Sequence, residues 1–134
     1  MVSLLLAAVL ASVTSEPANN HDYKAAYKES VAQQKPLMVV VGAEWCTACN
    51  VLKDTTIHPM VQTGELDGVS VAVVDRDAQP ELCEQLCKGE KMLPQIIVFT
   101  QNDDGKWERK KLMGYQPKQP VRKLVAQAVS KVRG

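Results

Sequence analysis

The stretch V39-V-V-G-A-E-W-C-T-A-C-N50 decides how the rest of this chain is read. It continues a run, Leu37-Met38-Val39-Val40-Val41, that is apolar without alternation, as expected of a strand covered on both faces of a sheet. Beyond it, Ala48 to Ile57 reads as a helix stopped by His58-Pro59. Cys46 and Cys49, with Thr47 and Ala48 between them, therefore fall at a strand-to-helix junction. There the first cysteine faces unpaired backbone N–H groups and the positive end of the helix dipole. Both favour the thiolate, which is the attacking form of cysteine. The second cysteine, one turn inward, is placed to resolve a mixed disulfide. The spacing points to a redox pair. Two other readings stand beside it: half of a metal site, which would want a second ligand pair at compatible spacing, and a structural staple, which would need neither the junction nor Trp45.

Upstream, His21 to Gln34 reads as a helix, with Tyr23, Ala26, Tyr27, Ser30 and Val31 at three- and four-residue spacing, ended by Lys35-Pro36. Downstream, Val61 to Leu66 offers a further helical turn and Asp67-Gly68 a turn. Val69 to Asp75 is a second strand, and Pro80 to Lys88 a helix with proline in its first turn, where a missing N–H costs little. Leu93 to Phe99 is a third strand, beginning at a proline. Asn102-Asp103-Asp104-Gly105 has hairpin chemistry, Lys106 to Met113 returns as a strand, and Gly114 breaks it. Pro120 to Val132 closes the chain as an amphipathic helix with Val121, Leu124, Val125, Ala128 and Val132 on one side. No internal repeat or low-complexity linker interrupts the pattern. The order α-β-α-β-α-β-β-α predicts an α/β fold with a central mixed sheet of about four strands flanked by helices on both faces.

At 134 residues the chain is one domain with a modest core. Its 16 basic and 15 acidic side chains are intermixed and leave a net charge of +1, so no face has the charge that a phosphate backbone requires and nucleic acid is excluded as a partner. An apolar content of 46% excludes a disordered chain. Residues 1–13 carry no charge, and Leu4 to Leu10 is an apolar run. It is shorter than the roughly 20 residues that cross a bilayer. With Ala11, Ser12 and Ser15 as small residues before a polar stretch, it predicts a signal peptide over 1–15, although no Lys or Arg precedes the run, and a domain over 16–134. The alternative is an uncleaved helix packed on the domain. Export, to the periplasm or another extracytoplasmic space, would place the chain where disulfides persist.

The element Glu44-Trp45-Cys46-Thr47-Ala48-Cys49 after a valine-rich strand, Asp75 closing the next strand, Leu93-Pro94 opening a third, and Gly114 after a hairpin resemble the thioredoxin superfamily from about His21 to the C-terminus. The resemblance implies a thioredoxin fold, Cys46 as nucleophile, Cys49 as resolving thiol, and a cis peptide between Leu93 and Pro94. A proline there supplies no N–H and leaves adjoining backbone free to pair with an extended substrate. The substrate surface is expected to comprise Trp45, Thr47, Ala48, Leu93 and Pro94. The chain departs from the family pattern in four places. Thr47-Ala48 stands where thioredoxins carry Gly-Pro, Val40 where they bury an Asp, Val71 where its partner Lys stands, and Gly42 in place of a Trp. Without the buried carboxylate, proton transfer at Cys49 would fall to water or to another group such as Glu44. The layout is closer to the diverse exported thioredoxin-like proteins than to housekeeping thioredoxin.

Cys83 and Cys87 share a face of their predicted helix, with α-carbons about 6 Å apart by helix geometry. They read as small buried side chains, as a second disulfide, or as metal ligands together with Cys46, Cys49 or His58. His58 reads as a helix-end residue, Trp107 as cross-strand packing, and Lys118, Arg122, Lys123, Lys131 and Arg133 as a solvated face. The function expected is that of an exported, monomeric thiol–disulfide oxidoreductase acting on protein substrates, with no metal and no bound organic cofactor. Its electrons would pass to or from a redox partner, a membrane reductase being one candidate. A copper- or zinc-binding chaperone and a non-catalytic binding module of the same fold are the alternatives.

Overall fold

The structure, a computed structural model, describes residues 22–133. The segment expected to be a signal peptide lies outside them. Helix α1 (Tyr23–Gln33) is capped by the Asp22 carboxylate, which accepts the Ala25 N–H at 3.1 Å. It leads into β1 (Leu37–Gly42), whose six residues are all buried. After β1 come α2 (Thr47–Leu52), a π-turn (Lys53–Ile57), α3 (His58–Gln62) and β2 (Ser70–Asp75). Then follow α4 (Pro80–Cys87), β3 (Gln95–Gln101), β4 (Trp107–Met113) and α5 (Lys118–Arg133).

The strands form one four-stranded sheet in the order β2-β1-β3-β4. β1 and β2 run parallel, with Val40 opposite Val73, joined by the α2–α3 crossover. β3 is antiparallel to β1, with Val40 opposite Ile96, and β4 is antiparallel to β3 through the hairpin. This is the thioredoxin fold with the mixed sheet that the sequence predicts.

Because side chains alternate along a strand, central β1 feeds two cores. Met38 and Val40 join Ile96 and Val98 beneath Leu52, Ile57 and Met60 of the crossover and Val121, Leu124 and Val125 of α5. Leu37, Val39 and Val41 join Val74 and Ile97 on the other face, under Ala26 of α1 and Cys83, Leu86 and Cys87 of α4. An apolar run without alternation is thus what a strand between two helical layers requires.

Three expectations need correction. His58-Pro59 does not stop the crossover helix. Pro59 has no N–H to give, and the ladder shifts register ahead of it: the His58 N–H bonds the Lys53 carbonyl, five residues back, and the helix resumes with Pro59 in its first turn. His58 therefore lies exposed within a continuous helical run and not at a helix end. Trp107 is not a cross-strand packer: its ring lies 5.9 Å from that of Tyr27 on α1. Lys118, Arg122, Lys123 and Lys131 of α5 are exposed as expected, with Arg122 paired to Glu65 and Lys131 to Glu108 at 2.6 Å each. Among the described residues, no helix is long and apolar enough to cross a membrane.

Candidate active site

β1 ends at Gly42, and the chain turns through Ala43, whose carbonyl accepts the Cys46 N–H at 3.1 Å. Cys46 is the N-cap of α2. Its Sγ accepts the Cys49 N–H at 3.2 Å, in the place that a Ser or Asp oxygen takes at other helix starts. Cys46 and Cys49 are joined as a disulfide with α-carbons 5.2 Å apart. Cys46 retains 8% exposure and Cys49 only 2%, so the first sulfur is the one a partner can reach. Cys46 sits at the start of α2, and Cys49, one turn further, packs beside Gly42 at the end of β1.

Gly42 lets the Cys49 side chain pack closely on the end of β1. A Cβ there would lie 3.1 Å from the Cys49 Cβ and 3.2 Å from its Sγ, tighter than ordinary contact. Val40, where thioredoxins bury an acid, is 2% exposed among aliphatic side chains. Glu44 is exposed, and what holds its segment is its carbonyl, which accepts from Asn50 Nδ2 at 3.0 Å.

The remaining expected site residues gather around the pair. Thr47 and Ala48 are exposed on the first turn, and Trp45 is 66% exposed. The Leu93–Pro94 peptide is cis, and Leu93 packs against Ala43, Cys46 and Cys49. The Pro94 carbonyl accepts the Gly114 N–H at 2.8 Å; Gly114 does this from a φ of +78°, a conformation that favours glycine.

Two positioning residues escape a reading of the sequence. Asp77 accepts the Trp45 indole N–H at 2.7 Å across 32 residues. Its only signal is its place just after Asp75, whose carboxylate caps the turn by accepting the N–H groups of Asp77 and Ala78. Gln95, fully buried, donates to the Met92 and Glu90 carbonyls at 2.9 and 3.3 Å and so fastens the loop that carries Leu93. A glutamine at the head of a strand gives no sign of this role.

Cys83 and Cys87 are free and buried, with sulfurs 3.7 Å apart. Burial, reinforced by the contact with Cys83, pushes the Cys87 thiol up from 9.0 to about 11, against the opposing pull of Lys111 and Arg109 on β4. The unfolded chain releases this proton near pH 9 and the folded chain only near 11, so unfolding releases a proton between these values and rising pH favours it. The contribution is fully present below pH 9 and lost as pH climbs through 11. Denaturant melts of wild type and Cys87→Ala across pH 8–11.5 should therefore converge in stability as pH rises; a difference independent of pH would contradict this reading.

Among the described residues, no three His, Cys, Asp or Glu side chains gather as a metal-binding group. A family model described as thioredoxin-like matches residues 18–101, more than half of the chain. Thioredoxin from Alicyclobacillus acidocaldarius is 28% identical over 100 residues, covering 75% of this chain and 88% of that protein. The solution structure of a thioredoxin from Thermus thermophilus superposes with a TM-score of 0.66 at 22% identity, over 79% of this chain and 82% of that one. The C-terminal domain of Neisseria meningitidis DsbD in its oxidised form gives 0.58 at 21% identity, over 78% and 91%. These two likenesses concern the fold. With its cysteine pair at disulfide distance on that fold, the chain belongs to the thioredoxin-like family and is a thiol–disulfide oxidoreductase.

Proposed function

We propose that this chain is an exported monomer that exchanges disulfides with protein substrates. The observation that carries the reading is the unequal placing of the two sulfurs: Cys46 at the helix start, holding a main-chain N–H, and Cys49 buried behind it. In the reduced chain the same N–H and helix end would hold a Cys46 thiolate. That thiolate attacks one sulfur of a substrate disulfide, forming the Cys46–substrate bond and releasing the other substrate sulfur, which takes up a proton. Cys49 then gives its proton to water, attacks the Cys46 sulfur and closes the Cys46–Cys49 disulfide, freeing the second substrate thiol. Two electrons pass to the substrate; run backwards, the same steps oxidise a substrate dithiol. With Val40 in place of an acid and Glu44 turned to solvent, water is the proton acceptor that the arrangement leaves for Cys49.

Trp45, Thr47, Ala48 and the half-buried Leu93 form the surface on which a substrate would lie, with Pro94 buried at its margin and Trp45 held by Asp77. Electrons come from or go to a redox partner, for which a membrane reductase fits an exported protein. The apolar run Leu4 to Leu10 supports export. The test is catalysed reduction of insulin with dithiothreitol as electron source. The chain should accelerate precipitation of the reduced insulin chains, and equal rates with and without it would overturn the reading. Export is tested by N-terminal sequencing of the protein from its host: a start near residue 16 is expected, and an intact Met1 would refute cleavage.

A further inference from the structure

The cysteine pair that the exchange reaction does not use belongs to a core cluster that shares a neighbour, Leu93, with the pair that it does. Leu93 packs at the same time against the core cluster that contains Cys83 and Cys87 and against the small cluster of Ala43, Cys46 and Cys49. Cys83 and Cys87 are buried, yet both contribute to the wall of a groove at the surface. They line it with Arg76, Asp77, Lys91 and Leu93, and Asp77 is the residue that holds Trp45. The end of α4 is held from β4: Arg109 donates to the Leu86 carbonyl at 2.6 Å and Lys111 to the Cys87 carbonyl at 3.1 Å. The chain then leaves the helix through left-handed Lys88 and Gly89 and runs to Leu93 along the carbonyls that Gln95 fastens.

We propose that Cys83 and Cys87 are a second redox couple, closed to a disulfide by small-molecule disulfides that enter this groove, and that its state is read at Cys46–Cys49 through Leu93. The sulfurs are already in contact at 3.7 Å, and their α-carbons, one helical turn apart, lie in the range a disulfide spans. Closing them to bonding distance of about 2.05 Å requires the last turn of α4 to tighten. The left-handed residues that follow are exposed and can absorb that change. Cys83, the more exposed of the two at 5% against 1%, attacks first. It bonds one sulfur of the small disulfide and expels the other as a thiol, which carries off the proton. Cys87 then attacks the Cys83 sulfur, loses its proton to the departing group and expels the second small thiol. Two protein thiols are oxidised and one disulfide is reduced to two thiols. Because Cys87 ends the helix from which the Leu93 loop starts, closure shifts the side chain that covers the first pair.

The existence of the couple is tested in the Cys46→Ser/Cys49→Ser variant, whose only thiols are Cys83 and Cys87. The reduced variant is equilibrated with graded ratios of oxidised to reduced glutathione, quenched in acid, alkylated and weighed. Both alkylation sites should vanish together with no gain of glutathione mass, and digestion should yield a Cys83–Cys87 linked peptide. Two free thiols throughout, or a stable glutathione adduct on Cys83, would overturn the proposal. The link to the active site rests on the exchange reading above, whereas the thiol count does not, so the two can fail separately. It is tested by single-turnover reaction of the oxidised Cys46–Cys49 pair with reduced ribonuclease, with Cys83–Cys87 either open or closed. Closure should slow the reaction about fivefold or more, the lower end of ordinary coupling between sites. Cys83→Ala/Cys87→Ala should react at the open-form rate whatever its glutathione history. Equal rates for the open and closed wild-type forms would overturn the link.

Discussion

Cys46→Ser is expected to reduce catalysed disulfide exchange to the background rate, a loss beyond about 10³-fold on the scale set by removal of an enzyme's nucleophile. The serine hydroxyl keeps the shape, and its oxygen can still cap α2 by accepting the Cys49 N–H, so the fold should survive. What it removes is the sulfur of the more exposed residue of the pair. Cys49 cannot substitute, because it is 2% exposed and wedged against Gly42. Cys49→Ser should fail differently. Attack by Cys46 persists, but nothing resolves its product, so a mixed disulfide with the substrate should accumulate toward one adduct per chain. Non-reducing electrophoresis and intact mass measure the adduct, and insulin turnover measures the loss. Adducts on Cys49 in Cys46→Ser, or turnover above background in either variant, would show that the roles of the two sulfurs are misassigned.

The pair and its place were legible in the sequence because they depend on local geometry: two cysteines separated by two residues, at the point where a buried strand turns into a helix. The strand itself was legible for a related reason. Leu37 to Val41 carry no polar residue, and only a strand with helices on both faces tolerates that. Asn102 to Gly105 was equally local; the Asn102 side chain accepts the N–H groups of Asp104 and Lys106 at 3.0 and 2.9 Å and folds the turn by itself. The features that escaped the sequence depend on partners far along the chain. Trp45 finds Asp77, Trp107 finds Tyr27, and Gln95 reaches back to the loop before it. The run past His58-Pro59 escaped for another reason. Proline is a stop signal only if the ladder ahead of it keeps its four-residue register; here it shifts to five, and Ile57 and Met60 remain buried on the same core. Burial of that face outweighs the breaker.

That burial makes Leu52→Ala the most damaging change predicted outside the cysteines. Leu52 is fully buried on α2, directly beyond Cys49, among Met38, Val40, Ile96 and the apolar side chains of α5. Truncation removes three side-chain carbons from a site enclosed by two helical segments and a sheet, which leaves little freedom to collapse. The expected cost is about 2–5 kcal/mol, transfer and cavity together. For a domain of this size that corresponds to a fall in melting temperature of roughly 8–30 °C, at about 4–6 °C per kcal/mol. Against a total stability of about 5–15 kcal/mol, the variant approaches the threshold of folding. Val51→Ala next door is the control: Val51 is 42% exposed, and its truncation should cost less than about 0.5 kcal/mol. Thermal and denaturant melts of the two variants decide the matter. Near-equal losses would mean that α2 is not anchored through Leu52, and that the rigid seat under Cys46 and Cys49 must come from β1 alone. The anchor also sets what the cysteines can do, since Cys46 keeps its N–H partner only while the first turn of α2 stays formed. In Leu52→Ala, activity and helix should therefore be lost over the same temperature range, with exchange per folded molecule unchanged below it.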